Sequence, residues 1–154
     1  MRLPGLVSEA ATKVLIKGAG EHASGTAHRL FKCGFKVVMT EIPRPTAVRR
    51  RVSFCSAVLH GTMEVEGVEA RLHEMPRSRE EGRLLDEACV SHVPVLVDPE
   101  AKVRELWRPG VVIDARIMKR NLDTSIDDAS LVIGYGPGFT AGRDVHAVVE
   151  TMRG

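Results

Sequence analysis

The sequence predicts an α/β fold: an open, mostly parallel sheet with helices on both faces and one inserted β-hairpin. Three observations carry that expectation. Short apolar runs alternate with charged or amphipathic stretches along the chain, as strand–helix repeats require. The run Val14-Leu-Ile-Lys-Gly18-Ala-Gly20-Glu-His-Ala23-Ser-Gly25 passes from an apolar strand through two glycines into a helix. A second strand, Lys36-Val-Val-Met-Thr40, then ends on Glu41. This is the layout of a dinucleotide-binding, Rossmann-like unit. Gly18 makes the tight turn, Gly20 lets backbone approach a phosphate, and Ala23 packs helix on strand. Glu41 stands where an acid reaches a ribose hydroxyl.

The elements follow in order. Strand one is Lys13 to Lys17. A helix runs from Ala19 to Cys33, and Gly34 stops it. Strand two is Phe35 to Thr40, and the strand–helix–strand unit implies parallel pairing with a right-handed crossover. Pro43 and Pro45 interrupt regular structure. Short helices are expected at Thr46 to Arg51 and around Phe54 to Val58. The segment 61–73 alternates apolar and charged residues on both sides of Glu66-Gly67, which reads as a hairpin outside the parallel core. A charged helix spans Ser78 to Ala88. Val93 to Val97 is a strand, Glu100 to Trp107 a short helix, and Val111 to Ile113 another strand. A polar loop, Arg116 to Asp128, precedes the last core strand, Ser130 to Ile133. That strand opens into the glycine-rich run Gly134 to Gly142, and Arg143 to Met152 reads as a final helix. With no internal repeat, low-complexity tract or linker, residues 1–154 read as one domain.

Composition narrows the function classes. The chain is 44% hydrophobic and 27% charged, as in a soluble globular protein. A formal net charge of +2 argues against a nucleic acid or anionic membrane partner. Aromatics make up 4% and do not interleave with basic residues, so base-stacking platforms are not expected. Cys33, Cys55 and Cys89 lack paired spacing, which argues against a disulfide framework or a cysteine zinc knuckle and fits a reduced cytoplasm. Met1 to Lys13 lacks an uninterrupted apolar segment, so no signal peptide is expected.

Several of the unusual residues fall just after a core strand, and in an open parallel sheet those ends share one edge, where ligands bind. The candidate ligand-binding residues are Gly18, Gly20, Glu41, Asp114, Arg116, Lys119, Gly134, Gly136 and Gly138. The glycines would present backbone N–H groups, Arg116 or Lys119 would pair with an anion, and Glu41 and Asp114 would make polar contacts. Several features argue against a simple phosphate cradle. Glu21 sits at the helix mouth, where it competes with an anion for the positive helix end. Pro137 offers no N–H. Asp98 before Pro99 has the pattern of a helix cap. Asp127-Asp128 could take magnesium or simply be solvated. Arg44 and Arg49 to Arg51 could reach an anionic group, although three consecutive residues cannot all face one way. The six histidines lack metal spacing, so no metal site is expected. No serine or cysteine nucleophile constellation appears, and no catalytic residue is assigned.

Several stretches together resemble the YqeB-type proteins of the selenium-dependent molybdenum hydroxylase system. They are residues 14–25, Val37 to Arg50, Val52-Ser-Phe54, Val93 to Pro99, Asp114 to Asn121, Ile126-Asp-Asp128 and Val132 to His146. The resemblance implies an accessory role in maturing molybdenum hydroxylases, in handling the cofactor or selenium. The partners it implies are a molybdenum hydroxylase or its maturation machinery. Position 21 is Glu where Asp is expected in the family, and the family continues into a further C-terminal region.

The leading expectation is therefore a maturation factor binding a small phosphate-bearing ligand, a nucleotide or the molybdenum cofactor, at the strand-end crevice. The alternatives are a small NAD(P)-binding oxidoreductase, which Glu41 supports, and a non-catalytic docking module. A homo-oligomer is compatible with each.

Overall fold

The computed structural model describes residues 12–152. The expectation about a leader at the start of the chain falls largely outside them. The described strands are β1 (Lys13–Lys17), β2 (Lys36–Glu41), β3 (Thr62–Val65), β4 (Val68–His73), β5 (Val93–Val97), β6 (Val111–Asp114), β7 (Leu131–Tyr135) and β8 (Ala147–Val149). The helices are α1 (Glu21–Lys32), α2 (Ser56–His60), α3 (Arg79–Ala88) and α4 (Val103–Trp107). All eight strands join one sheet in the order β3-β4-β5-β2-β1-β6-β7-β8. Only the β3–β4 pairing is antiparallel. Setting the hairpin aside, the other six strands follow the doubly wound 3-2-1-4-5-6 order, which reverses between β1 and β6. The open α/β sheet of the sequence reading is the observed architecture.

The two faces bury different residues because side chains alternate along a strand. Val14 and Ile16 of β1 face α1 and α2, with Ala23, Ala27, Val37, Met39, Phe54 and Val95. Leu15, Val38, Leu96 and Val112 face the opposite way, toward α3 and α4, with Leu85, Val103 and Trp107. Both faces of the parallel strands are thus covered, as parallel sheets require. Small residues on the buried side of α1 bring it close to β1. Its C-terminus closes in a Schellman arrangement, with Gly34 N–H donating to Phe31 O (3.0 Å) and Phe35 N–H to Leu30 O (3.1 Å).

Four expectations are corrected. Residues 143–152 do not form a helix. Val145 is buried, and Ala147 to Val149 pair with Ile133 to Tyr135 as β8. Clustered β-branched residues beside the unpaired edge of β7 favour an added strand over a helix. The hairpin is not separate from the parallel core, because β4 uses its second edge to pair in parallel with β5. The helix at Thr46 to Arg51 shrinks to a 3₁₀ turn at Arg50–Val52, and the helix at Glu100 begins only at Val103. In the second case Asp98 Oδ2 accepts the Val103 N–H at 2.8 Å, which sets the helix start there. The hairpin turn is as read: Glu66 and Gly67 have φ of 46° and 79°, the pair of positive values a two-residue turn needs.

Among the described residues, no α-helix connects β6 to β7 or β7 to β8. Loops 115–130 and 136–146 make those crossovers and pack on each other. Gly138 has φ +99°, and a Cβ there would lie 2.6 Å from Arg120 Cα. Gly138→Ala is therefore expected to lower stability by about 2 kcal/mol or more, since positive φ and a backbone clash both oppose it. Urea unfolding measures this; a loss under about 0.5 kcal/mol would show that the two loops do not pack as described.

Candidate functional site

The carboxyl ends of β1 and β6 lie side by side, with Lys17 and Asp114 as register partners. Both are buried, at 1% and 2% exposure. Lys17 Nζ donates to Asp123 Oδ1 and to Thr124 Oγ1, each at 2.8 Å. Arg116 holds Asp114 bidentately, with Nε 3.0 Å from Oδ1 and Nη2 2.7 Å from Oδ2. The same Nη2 donates to Asp123 Oδ1 at 2.7 Å, and Thr124 Oγ1 donates to Asp114 Oδ2 at 2.7 Å. Two cations and two carboxylates therefore neutralise one another at the sheet edge. Asn121 fastens the loop, donating to Thr124 O (2.8 Å) and accepting from Thr124 N–H (2.9 Å).

Burial alone would raise the Asp114 carboxyl, but the hydrogen bonds and charge of Arg116, with Thr124, outweigh it and hold the group below the ordinary aspartate range. Asp123 behaves likewise: burial raises it, and Arg116 and Lys17 bring it below its usual value. The Arg116 guanidinium is desolvated yet held even more firmly charged by Asp114 and Asp123.

The first glycine loop wraps over this cluster. Gly18 has φ +99°, and a Cβ on it would lie 3.2–3.3 Å from Arg116, so glycine is required here by the chain's own packing. Glu41 reaches back to the same loop, where Oε2 accepts the Ala19 N–H at 3.0 Å and Oε1 accepts the Ile42 N–H at 2.8 Å. Gly20 differs from Gly18. It precedes α1 with extended backbone, makes no side-chain cap, and a Cβ on it would meet nothing within 4 Å. The α1 N-terminus opens into a cleft of about 240 Å³ bordered by Gly20, Glu21, Thr46, Arg49, Arg116 and Ile117. At the mouth of that cleft Glu21 pairs with Arg49 at 3.4 Å, both partly exposed.

The second glycine loop is filled from within. A Cβ on Gly134 would lie 2.5 Å from the Phe139 ring, one on Gly136 3.3 Å from Ile117 Cγ2, and Gly138 abuts Arg120. Glu41, Asp114, Arg116, Gly18 and Gly20 thus converge at one edge, while Gly134, Gly136 and Gly138 serve contacts between loops. Lys119 is exposed and has no ion-pair partner among the described residues. Asp127 and Asp128 are the second and third residues of a 3₁₀ turn at Ile126–Asp128, where Asp128 completes a capping box with Ser125 and lies 3.4 Å from Arg104. His146 accepts the Val132 N–H at 2.9 Å through Nδ1. Burial raises the Cys55 thiol, and burial followed by Asp86 pushes Cys89 up to about 12, so neither is a thiolate at neutral pH. Sequence reasoning missed Lys17, Asp123 and Thr124 as a unit. A lysine ending a buried strand was the available signal, since a buried amine needs a nearby acid.

Comparison with known proteins places this geometry beside one relative. The chain is similar to YqeB. That protein, from Escherichia coli (strain K12) and named "Uncharacterized protein YqeB", is 48% identical over 141 residues. The match covers 92% of this chain and 25% of the relative, so the chain spans about a quarter of the relative's length. No family model and no solved structure matches. Among the described residues, no helix is long and apolar enough to cross a membrane.

Asp114→Asn should destabilise the fold by about 3 kcal/mol, because it leaves half-buried Arg116 and buried Lys17 short of one carboxylate. The pH dependence follows from the lowered aspartates. Their contribution is fully present above the ordinary aspartate value and is lost as the pH falls through the lowered folded-state values. Urea midpoints measured from neutral pH into acid should show a shallower acid loss in Asp114→Asn than in the parent. Parallel profiles would remove Asp114 from the acid response.

Proposed function

We propose that this chain binds the phosphate-bearing end of a nucleotide or molybdopterin-type ligand at the α1 N-terminus, as an accessory factor in maturing selenium-dependent molybdenum hydroxylases. The observation that carries the binding reading is the position of the cleft. It lies at the carboxyl ends of β1 and β6, where the strand order reverses, and the α1 N-terminus beside it has no side-chain cap. Free N–H groups and the positive helix end favour an anion there. The fit favours part of a ligand over a whole dinucleotide. A cleft of about 240 Å³ is smaller than the about 300–1,000 Å³ of drug-sized sites, and in the second glycine loop Gly134, Gly136 and Gly138 lie against Phe139, Ile117 and Arg120. One phosphate with its sugar matches that space.

Within this reading Gly20 leaves room for the phosphate. Arg49 would leave Glu21 to pair with it, and Glu41, still offering lone pairs, would accept from a ribose hydroxyl. Arg116 acts through its hold on Asp114, as both bidentate donors are committed to carboxylates. The maturation role, with a molybdenum hydroxylase or its machinery as partner, rests on the resemblance of residues 14–25, 114–121 and 132–146 to YqeB-type proteins. Glu41 at the end of β2 favours a second reading, a small NAD(P)-binding oxidoreductase. The charged hairpin of β3 and β4 favours a third, a module that docks to a partner enzyme.

Thermal-shift titrations with NAD, NADP, CTP, ATP and a molybdenum cofactor preparation separate these readings. CTP or the cofactor preparation is expected to stabilise the chain. Stabilisation by NADP alone would overturn the proposal, and silence from all five would favour docking. Gly20→Leu should keep the fold, since its side chain enters open space, and abolish the shift. Glu21→Gln should tighten binding about two- to fivefold, the size of one charge at a helix terminus. An unchanged shift in Gly20→Leu removes the cleft from the site.

A further inference from the structure

A second cluster lies three strands from β1 in the sheet, at the hairpin side. His73 closes β4 and His92 immediately precedes β5, and their Nε2 atoms approach to 2.7 Å. The rings are nearly parallel, at 23° with centroids 5.0 Å apart. Ser91 Oγ lies 2.8 Å from His92 Nδ1 and 3.4 Å from Ala88 O. The serine hydroxyl has one hydrogen, and when Ala88 O takes it, Ser91 Oγ accepts the His92 Nδ1–H. That places the proton on Nδ1 and turns the His92 Nε2 lone pair toward His73. A hydrogen-bonded outer nitrogen is the usual device that orients a metal-binding imidazole. Arg71, two residues before His73 on β4, is paired with Glu69 through contacts of 2.7 and 3.1 Å.

We propose that His73 and His92 form an open two-imidazole site for a borderline divalent transition-metal ion such as Zn²⁺ or Cu²⁺, with water completing the coordination. Imidazole nitrogen suits these ions. Two nitrogens on one tetrahedral zinc stand about 3.3 Å apart, given Zn–N distances of about 2.0–2.1 Å, so the pair must open by about 0.6 Å. His73, half-buried at a strand end, supplies that movement and takes its Nδ1–H tautomer on binding. No third His, Cys, Asp or Glu joins them among the described residues, which makes the site exchangeable rather than a closed structural cage. Sequence spacing did not reveal it because the two histidines stand nineteen positions apart and meet only through β4–β5 pairing.

Zn²⁺ titration by calorimetry tests this, in a Cys33→Ser background that removes the exposed thiol. His73→Gln and His92→Gln should each weaken binding at least tenfold, and Ser91→Ala by about tenfold, the usual effect of an outer-shell partner. His60→Gln should change nothing. Histidine ring resonances of the otherwise unsubstituted chain provide a readout that needs no variant to fold: two of the six should shift first. Unchanged Zn²⁺ affinity in both histidine variants, or parallel shifts of all six rings, would overturn the proposal.

Discussion

The contact on which the site depends is the charge cluster in which buried Lys17 and Asp114 meet half-buried Arg116 and exposed Asp123. Adjacent parallel strands end on a lysine and an aspartate in register, and neither side chain reaches bulk water. Each charge would be costly alone, so both draw partners from the loop after β6. Asp123 and Thr124 close over Lys17, and Arg116 closes over Asp114. Buried ion pairs of this kind add little net stability compared with apolar packing, but they define one arrangement of their loop. Here that arrangement sets the course of residues 115–125 without a crossover helix.

The glycine loops take their shape from this strap. Gly18 lies against Arg116, Gly136 against Ile117, and Gly138 against Arg120. Three glycines that could each have served a ligand instead let three backbone segments approach. Gly20 differs from these three, because its missing side chain faces open space beside an uncapped helix end. The difference between Gly18 and Gly20, two residues apart, separates the structural part of the fingerprint from the part left to a ligand.

The fold was largely legible. Val14 to Ile16, Val37 to Met39 and Val93 to Val97 are continuous apolar runs followed within two residues by glycine or an acid, and all three lie in core strands. The Glu66-Gly67 turn and the stop at Gly34 were equally plain, since positive φ leaves few alternatives. Residues 143–152 were misread because Val145, Val148 and Val149 fit a helical spacing as well as a strand, and the unpaired edge of β7 decided between them. Of the candidate site, Glu41, Asp114 and Arg116 were legible as residues following strands. Their mutual commitments were not, because hydrogen-bond partners such as Asp123 and Thr124 sit in a loop with no periodic signal.

The sequence by itself determined the first strand–helix–strand unit, the hairpin and the edge of the sheet where polar residues collect, because backbone propensity and strand alternation are local properties. Tertiary structure alone decided which charges are spent. Arg116 turned inward to two aspartates, the second glycine loop filled with Phe139 and the Arg120 backbone, and two distant histidines met across β4 and β5. Desolvation is the reason: a buried charge takes whatever partner the packed chain brings within reach, and that partner is set by topology rather than by spacing.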